Sequence, residues 1–156
     1  ILNEAIVNST ALYDYVPRPP EAMKNWFAAK RANGFPVIGA VDGNGKLIGF
    51  AGYGTFRAFP AYKSTVEHSV SVHGEHRGQG LGKLLINELI RRARAADMHA
   101  IVGCIDASNA GSIALHKALG FSHSGTFPQV GFKFGRWLDV AFYQLLLDTP
   151  AAPVDG

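Results

Sequence analysis

The sequence has a single cysteine, Cys104, in 156 residues. One thiol excludes a disulfide within the chain and a thiolate zinc cluster, and it points to a reducing compartment, so a cytoplasmic location is expected. Long apolar runs are also lacking. Gly, Lys, Asp or Arg cut every greasy stretch well short of the ~20 residues that a membrane helix requires, so no membrane association is expected. The sequence as given opens at Ile1 without a basic-then-apolar leader, and no signal peptide is expected. Charge is sparse: Asp, Glu, Lys and Arg make up 17% against 47% hydrophobic residues, which excludes a disordered chain. Nor is one sign concentrated. The 15 basic and 12 acidic residues give +3 without a basic stripe, and Arg91, Arg92 and Arg94 fall at the end of an expected helix, where cations complement the helix dipole. Nucleic acid is not an expected partner. Glycine, by contrast, is abundant at 18 residues, so somewhere the backbone must bend sharply or be approached closely.

The length fits one domain, expected over residues 1–148, with 149–156 as a loose tail rich in Ala and Pro. Ile1, Leu2, Ala5 and Ile6 open with helical spacing in a stretch running to Tyr13, and Pro17, Pro19 and Pro20 break it. Pro20 and Gly34 bracket a second helix that carries Met23, Trp26, Phe27 and Lys30 at helical intervals. The apolar runs 36–41 and 46–53, joined by Asp42-Gly43-Asn44-Gly45, predict an antiparallel hairpin. Residues 64–73 alternate, with Val66, Val70 and Val72 on one face and Glu67, Ser69 and Ser71 on the other, and predict a third strand. Leu81, Leu84, Leu85, Leu89 and Ala93 recur at three or four and predict the longest helix over 80–97. A strand at 99–105, a helix at 109–119 stopped by Gly120 and a last strand at 139–147 follow. This order describes an α/β or α+β layer fold with a mixed sheet.

The most informative segment is Val72-His73-Gly74-Glu75-His76-Arg77-Gly78-Gln79-Gly80-Leu81-Gly82-Lys83, which joins an alternating strand to the longest helix. Glycines at 78, 80 and 82 leave backbone N–H groups unshielded at a helix N-terminus, where orphan donors and the dipole favour an anion such as phosphate. Spacing separates the possible phosphate loops. A P-loop requires glycine where Arg77 stands and Ser or Thr where Leu84 stands. A dinucleotide fingerprint requires glycine where Lys83 stands, after a strand that opens a βαβ unit. What remains, Arg77-x-x-Gly80-x-Gly82, resembles the pyrophosphate loop of the GNAT superfamily of acetyl-CoA-dependent N-acetyltransferases.

Further stretches carry the resemblance. Asn109-Ala-Gly-Ser112-Ile-Ala-Leu115-His116-Lys-Ala-Leu-Gly120-Phe121 is similar to the superfamily's second cofactor segment, in which an Asn at a helix start meets the pantetheine arm. The segments 62–73 and 130–139, together with Asn3-Glu4-Ala5 and Tyr13, resemble the phosphinothricin and methionine sulfoximine acetyltransferase branch over nearly all of the chain. The resemblance implies a mixed, mostly antiparallel central sheet flanked by helices on both faces. Such relatives begin with a strand before their first helix, and that strand is expected to be missing from this sequence. The resemblance also implies a homodimer, for which the aromatic and basic mixture over 128–139 (Phe132, Phe134, Trp137, Lys133, Arg136) has the character of an interface. Where this chain has His116, many members carry a tyrosine taken to protonate the leaving thiolate, which makes His116 a candidate acid.

Acetyl transfer to an amine requires an anchored CoA, a polarised thioester and a deprotonated nucleophile. The cofactor-binding set is Val70, Ser71 and Val72, whose backbone can pair with pantetheine and hold the thioester oxygen, then Arg77, Gly78, Gln79, Gly80, Leu81, Gly82 and Lys83, then Asn109. Glu67 is the candidate base. Arg57, Ala58, Phe59, Glu67, His68 and Ser69 form the expected substrate side, with Arg57 able to fork onto a carboxylate. His73 and His76 lack a carboxylate pair at helical spacing, and no metal is expected. The activity expected is acetylation of the α-amine of methionine sulfoximine, methionine sulfone or phosphinothricin. Acetylation of protein or peptide N-termini and a catalytically silent acyl-CoA sensor are the alternatives.

Overall fold

The computed structural model describes residues 1–156. Its elements are α1 (Leu2–Asn8), α2 (Pro20–Ala32), β1 (Val37–Val41), β2 (Leu47–Thr55), β3 (Thr65–Val72), α3 (Leu81–Ala95), β4 (Ala100–Asp106), α4 (Ala110–Ala118), β5 (Ser122–Lys133) and β6 (Arg136–Leu146), with 3-10 turns at Pro60–Tyr62 and Gly74–His76. The six strands form one sheet in the order β1-β2-β3-β4-β6-β5. Only β3 and β4 run parallel; every other pair is antiparallel. No helix is long and apolar enough to cross a membrane.

Local chemistry accounts for most boundaries. Asp42 closes the β1–β2 turn by accepting the Asn44 amide at 2.8 Å and the Lys46 amide at 2.9 Å through Oδ1. Helix α1 ends well before Tyr13, because Ser9 turns extended and its Oγ donates to the Ala5 carbonyl at 2.8 Å. One strand has no counterpart in the sequence reading. β5 spans 122–133 and forms a hairpin with β6, which begins at Arg136 and not at 139. Its residues are nearly all exposed, so the in-out alternation that marks a strand is missing. The turn uses positive φ at Phe134 (52°) and Gly135 (72°), a geometry seldom signalled by Phe.

Pairing decides which residues share a face. Ala51 opposes Val70 and Tyr53 opposes His68, while Val66 pairs with Ile101 and His68 with Gly103. These residues look toward α3, whose Leu85, Ile86, Leu89 and Ala93 join Ala51, Tyr53, Val66, Ile101 and Tyr143 in the buried core. The other face, with Phe50, Glu67 and Cys104, receives α2, where Trp26 stands edge-on to Phe50 with ring centres 6.2 Å apart. Helices therefore cover both faces. β3 and β4 pair from Thr65↔Ala100 to His68↔Gly103 and then part, although β3 continues to Val72 and β4 to Asp106. That parting opens the sheet.

Candidate active site

A cleft of about 870 Å³ occupies the opening. Its walls are residues 68–72 of β3, 103–106 of β4, the glycine loop and first turn of α3, the start of α4, and the loop 9–12 after α1. Beyond His68, the backbone groups of β3 that face away from β2 have no strand partner in β4.

The glycine loop is built as an anion cradle. Gly80 caps α3 at φ 80° with no side-chain hydrogen bond, and Gly78 sits at φ 73°. These are left-handed conformations that residues with a Cβ resist. The first helical bond runs from the Leu84 amide to the Gly80 carbonyl, so the amides of Leu81, Gly82 and Lys83 have no intrahelical acceptor. No acidic residue sits in this turn to satisfy them. A Cβ on Gly82 would stand 3.1 Å from Leu115, so that glycine also lets α4 pack against the start of α3. Arg77 reaches sideways: its Nε donates to the Val72 carbonyl and its guanidinium meets Glu4 of α1, each at 3.3 Å. Gln79 lies outside the cleft lining, with its amide 3.5 Å from the Glu75 carbonyl. At the start of α4, Asn109 Oδ1 accepts the Ser112 amide at 3.1 Å, leaving its NH₂ donors available.

His68 and His116 form a buried pair. His116 Nδ1 lies 2.7 Å from the Ser112 carbonyl, which can only accept, so Nδ1 carries the proton. Its Nε2 then accepts from His68 Nε2 at 3.0 Å. His68 Nδ1 is left buried without a partner. The rings stack with centres 5.0 Å apart, and Phe121 packs against both. Burial pushes both imidazoles below their ordinary range; His68 falls to about 3, with the neighbouring His116 adding to the effect. This differs from the expectation of a ready proton donor at His116, because both of its nitrogens are spent inside the protein. His68, expected on the substrate side, likewise faces α4 and not the Glu67 face.

Glu67 lies on the opposite face. Cys104 Sγ donates to its Oε1 at 2.7 Å, and burial followed by this contact pushes the thiol up to about 12. Cys104 lines the cleft, whereas Glu67, Arg57, Ala58 and Phe59 do not. The Arg57 guanidinium stacks 4.6 Å above the Phe56 ring and donates to the Phe56 carbonyl at 2.9 Å. Phe59 is exposed in the loop before the Pro60–Tyr62 turn. The structure thus gathers 68–72, 77–78, 80–83, Asn109 and His116 around one cleft and leaves the Arg57 loop at its flank.

Sequence reasoning missed three contributors. Cys104 is one; strand parity, counted from β4, puts it beside Glu67. Asp106 is the second: it is 7% exposed, and although burial works against its ionisation, the hydrogen bonds from Ser108 together with Thr10 and the charge of Arg136 hold its carboxyl below the usual range. The third is Lys133, 4% exposed, whose Nζ donates to the carbonyls of Ser9 at 2.8 Å and Leu12 at 2.6 Å and so pins the loop that walls the cleft. No local pattern signals a contact across such a span.

A sheet parted beside a glycine-capped helix offers unpaired strand backbone and free helix amides side by side, the kind of site in which an extended ligand with an anionic end can lie. The model of the acetyltransferase (GNAT) family matches residues 3–121. Over 154 residues the chain is 47% identical to the L-methionine sulfoximine/L-methionine sulfone acetyltransferase of Pseudomonas paraeruginosa, covering 98% of this chain and 90% of that protein. A solved chain from Acinetobacter baylyi is 65% identical with a TM-score of 0.98, covering 100% of this chain and 88% of the other. The phosphinothricin acetyltransferase of Sinorhizobium meliloti, solved in complex with acetyl-CoA, is 39% identical with a TM-score of 0.94, covering 100% and 85%. The chain belongs to the acetyltransferase (GNAT) family and is an N-acetyltransferase.

Proposed function

We propose that this enzyme transfers acetyl from acetyl-CoA to the α-amine of a small amino-acid analogue of the methionine sulfoximine, methionine sulfone or phosphinothricin kind. The observation that carries the reading is the parting of β3 from β4 after His68↔Gly103, beside the free amides of α3. In this reading the pyrophosphate lies on the amides of Leu81, Gly82 and Lys83. Pantetheine runs along Val70–Val72 as an added strand, with the Asn109 NH₂ group beside it, and one β3 amide holds the thioester oxygen. The substrate ammonium gives one proton to the Glu67 carboxylate; the amine attacks the thioester carbon, the C–S bond breaks as the amide forms, and the second proton of the attacking nitrogen passes to water. The CoA thiolate, of a class with reference pKa near ~8.5, departs without an acid, so none is assigned to His116. Arg57 supplies a planar fork for the substrate's acidic head once it leaves the Phe56 carbonyl.

The relatives named methionine sulfoximine/sulfone and phosphinothricin acetyltransferase support this substrate class. Thiol release from acetyl-CoA, measured with each analogue and with short peptides, tests it. Rapid release with the analogues and none with peptides is expected; release with peptides alone overturns it.

We further infer a homodimer. Phe127, Val130, Phe132, Phe134 and Trp137 are all exposed on the β5–β6 hairpin, a concentration of apolar surface that supports association with a second copy. We also infer a single domain in a cytoplasmic setting, which the unpaired Cys104 supports.

A further inference from the structure

Between β3 and the glycine loop the chain makes one 3-10 turn, Gly74–His76, closed by the His76 amide donating to the His73 carbonyl at 2.8 Å. With three residues per turn, positions i and i+3 eclipse, so His73 and His76 project from the same side. Their ring centres are 5.9 Å apart. Glu75 completes the group: one ligand atom from each of His73, Glu75 and His76 lies within 4.8 Å of the other two. The segment has no carboxylate pair at α-helical spacing. The turn is not α-helical, and the single carboxylate between them is in reach.

The distances are somewhat wider than those around a bound cation. His73 Nδ1 is 3.8 Å from a Glu75 carboxylate oxygen. Donors on one zinc-like ion, at bonds of about 2.0–2.2 Å in a tetrahedron, stand roughly 3.3–3.6 Å apart. The group spans up to 4.8 Å, so binding draws its widest pair in by about an ångström, a movement open to the exposed Glu75 and the half-buried histidines. One contact competes, the Glu75 amide donating to His73 Nδ1 at 3.3 Å, and it is long. Arg77, the next residue in the chain, is engaged elsewhere by Glu4. Asp42 on the β1–β2 turn adds its negative charge near His76. Two imidazoles and one carboxylate suit zinc, nickel or cobalt; magnesium and calcium favour oxygen donors alone.

We propose that the His73–Glu75–His76 turn binds one divalent transition-metal ion, outside the acetyl-transfer chemistry. His76 lines the rim of the cleft, so the ion sits at the junction of β3 and the glycine loop and ties the two together.

Calorimetry with Zn²⁺ and with Mg²⁺ on the untagged chain tests the site. One equivalent of Zn²⁺ is expected to bind with a dissociation constant of about 1–100 μM, and Mg²⁺ is expected not to compete. His73→Gln and His76→Gln should each weaken Zn²⁺ at least ~10-fold, and the double variant should abolish binding. His99→Gln and His123→Gln should leave it unchanged. Paramagnetic Ni²⁺ should broaden the amide signals of residues 73–77 in the unaltered chain, a readout that needs no variant to fold. No Zn²⁺ binding at ~1 mM, wild-type affinity in the folded double variant, or broadening centred on His99 or His123 overturns the proposal.

Discussion

Glu67 and His68 are neighbours in sequence, and the pleat of β3 sends them to opposite faces with opposite electrostatics. Glu67 meets a thiol donor and the flank of the cleft; His68 meets another imidazole in the core. Different experiments should reveal the two. Glu67→Gln keeps the shape and removes the base, so kcat should fall by ~100-fold or more and recover partly as the amine deprotonates at high pH. Normal turnover at neutral pH would remove Glu67 from the chemistry. For His68 the linkage sign is fixed by its depressed folded value. The unfolded chain takes up a proton near ~6.5, while the folded chain resists until about 3. Stability is therefore full above ~6.5 and declines as pH falls toward about 3, with a slope of up to ~1.4 kcal/mol per pH unit from this group. His68→Gln keeps a donor for His116 but does not titrate, so thermal melts between pH 6.5 and 4 (about the window between the two values) should show a shallower slope than wild type. Equal slopes would mean that the pair is already protonated in the fold.

Among the elements, the glycine loop and the β5–β6 hairpin position the cleft from its two ends. At Gly80 nothing lies within 4 Å of where a Cβ would be, so the glycine is required by its φ of 80° and by the approach it leaves open. Gly80→Val should strain the cap and shield the amides of α3, raising the dissociation constant for acetyl-CoA at least ~10-fold by calorimetry while the protein stays folded. The hairpin acts through Lys133, a buried ammonium held by two carbonyls of the loop 9–12. Burial lowers its pKa, and two charge-assisted bonds compensate the desolvation. Lys133→Met removes both donors and leaves the carbonyls unpaired, a loss of about 1–3 kcal/mol. The loop should loosen, so KM for the amino-acid substrate should rise in steady-state kinetics, and the melting temperature should fall by several degrees. An unchanged KM would mean that the loop holds its place without the hairpin.

For the whole molecule, the exposed aromatic side chains of the hairpin lie on the same strands that hold Lys133, so an interface there would brace the loop beside the cleft. Light scattering at micromolar concentration should give a dimer mass, and Trp137→Asp should lower it toward the monomer with the secondary structure unchanged by circular dichroism. A monomeric wild-type chain would overturn the assembly.

The sequence by itself determined the elements whose cause is local: the Asp42–Gly45 turn, the alternation of β3, the amphipathic α3 and the glycines that leave its first amides bare. Those features also carried the family resemblance, because a phosphate cradle is written in consecutive residues. Only the tertiary structure decided what depends on pairing between distant segments. β5 was illegible because its exposed residues do not alternate with burial, and its turn becomes visible only once Phe134 is seen at positive φ. The roles of Cys104, His116 and Lys133 were equally hidden, since each is set by a partner 37, 48 or more than a hundred residues away. Gly103 shows the reason most directly. A Cβ there would stand 2.9 Å from His68 Nε2 and 3.2 Å from His116 Nε2, so the strand must carry glycine for the two rings to meet. No spacing rule predicts that requirement, because the constraint comes from side chains that only the folded sheet brings together.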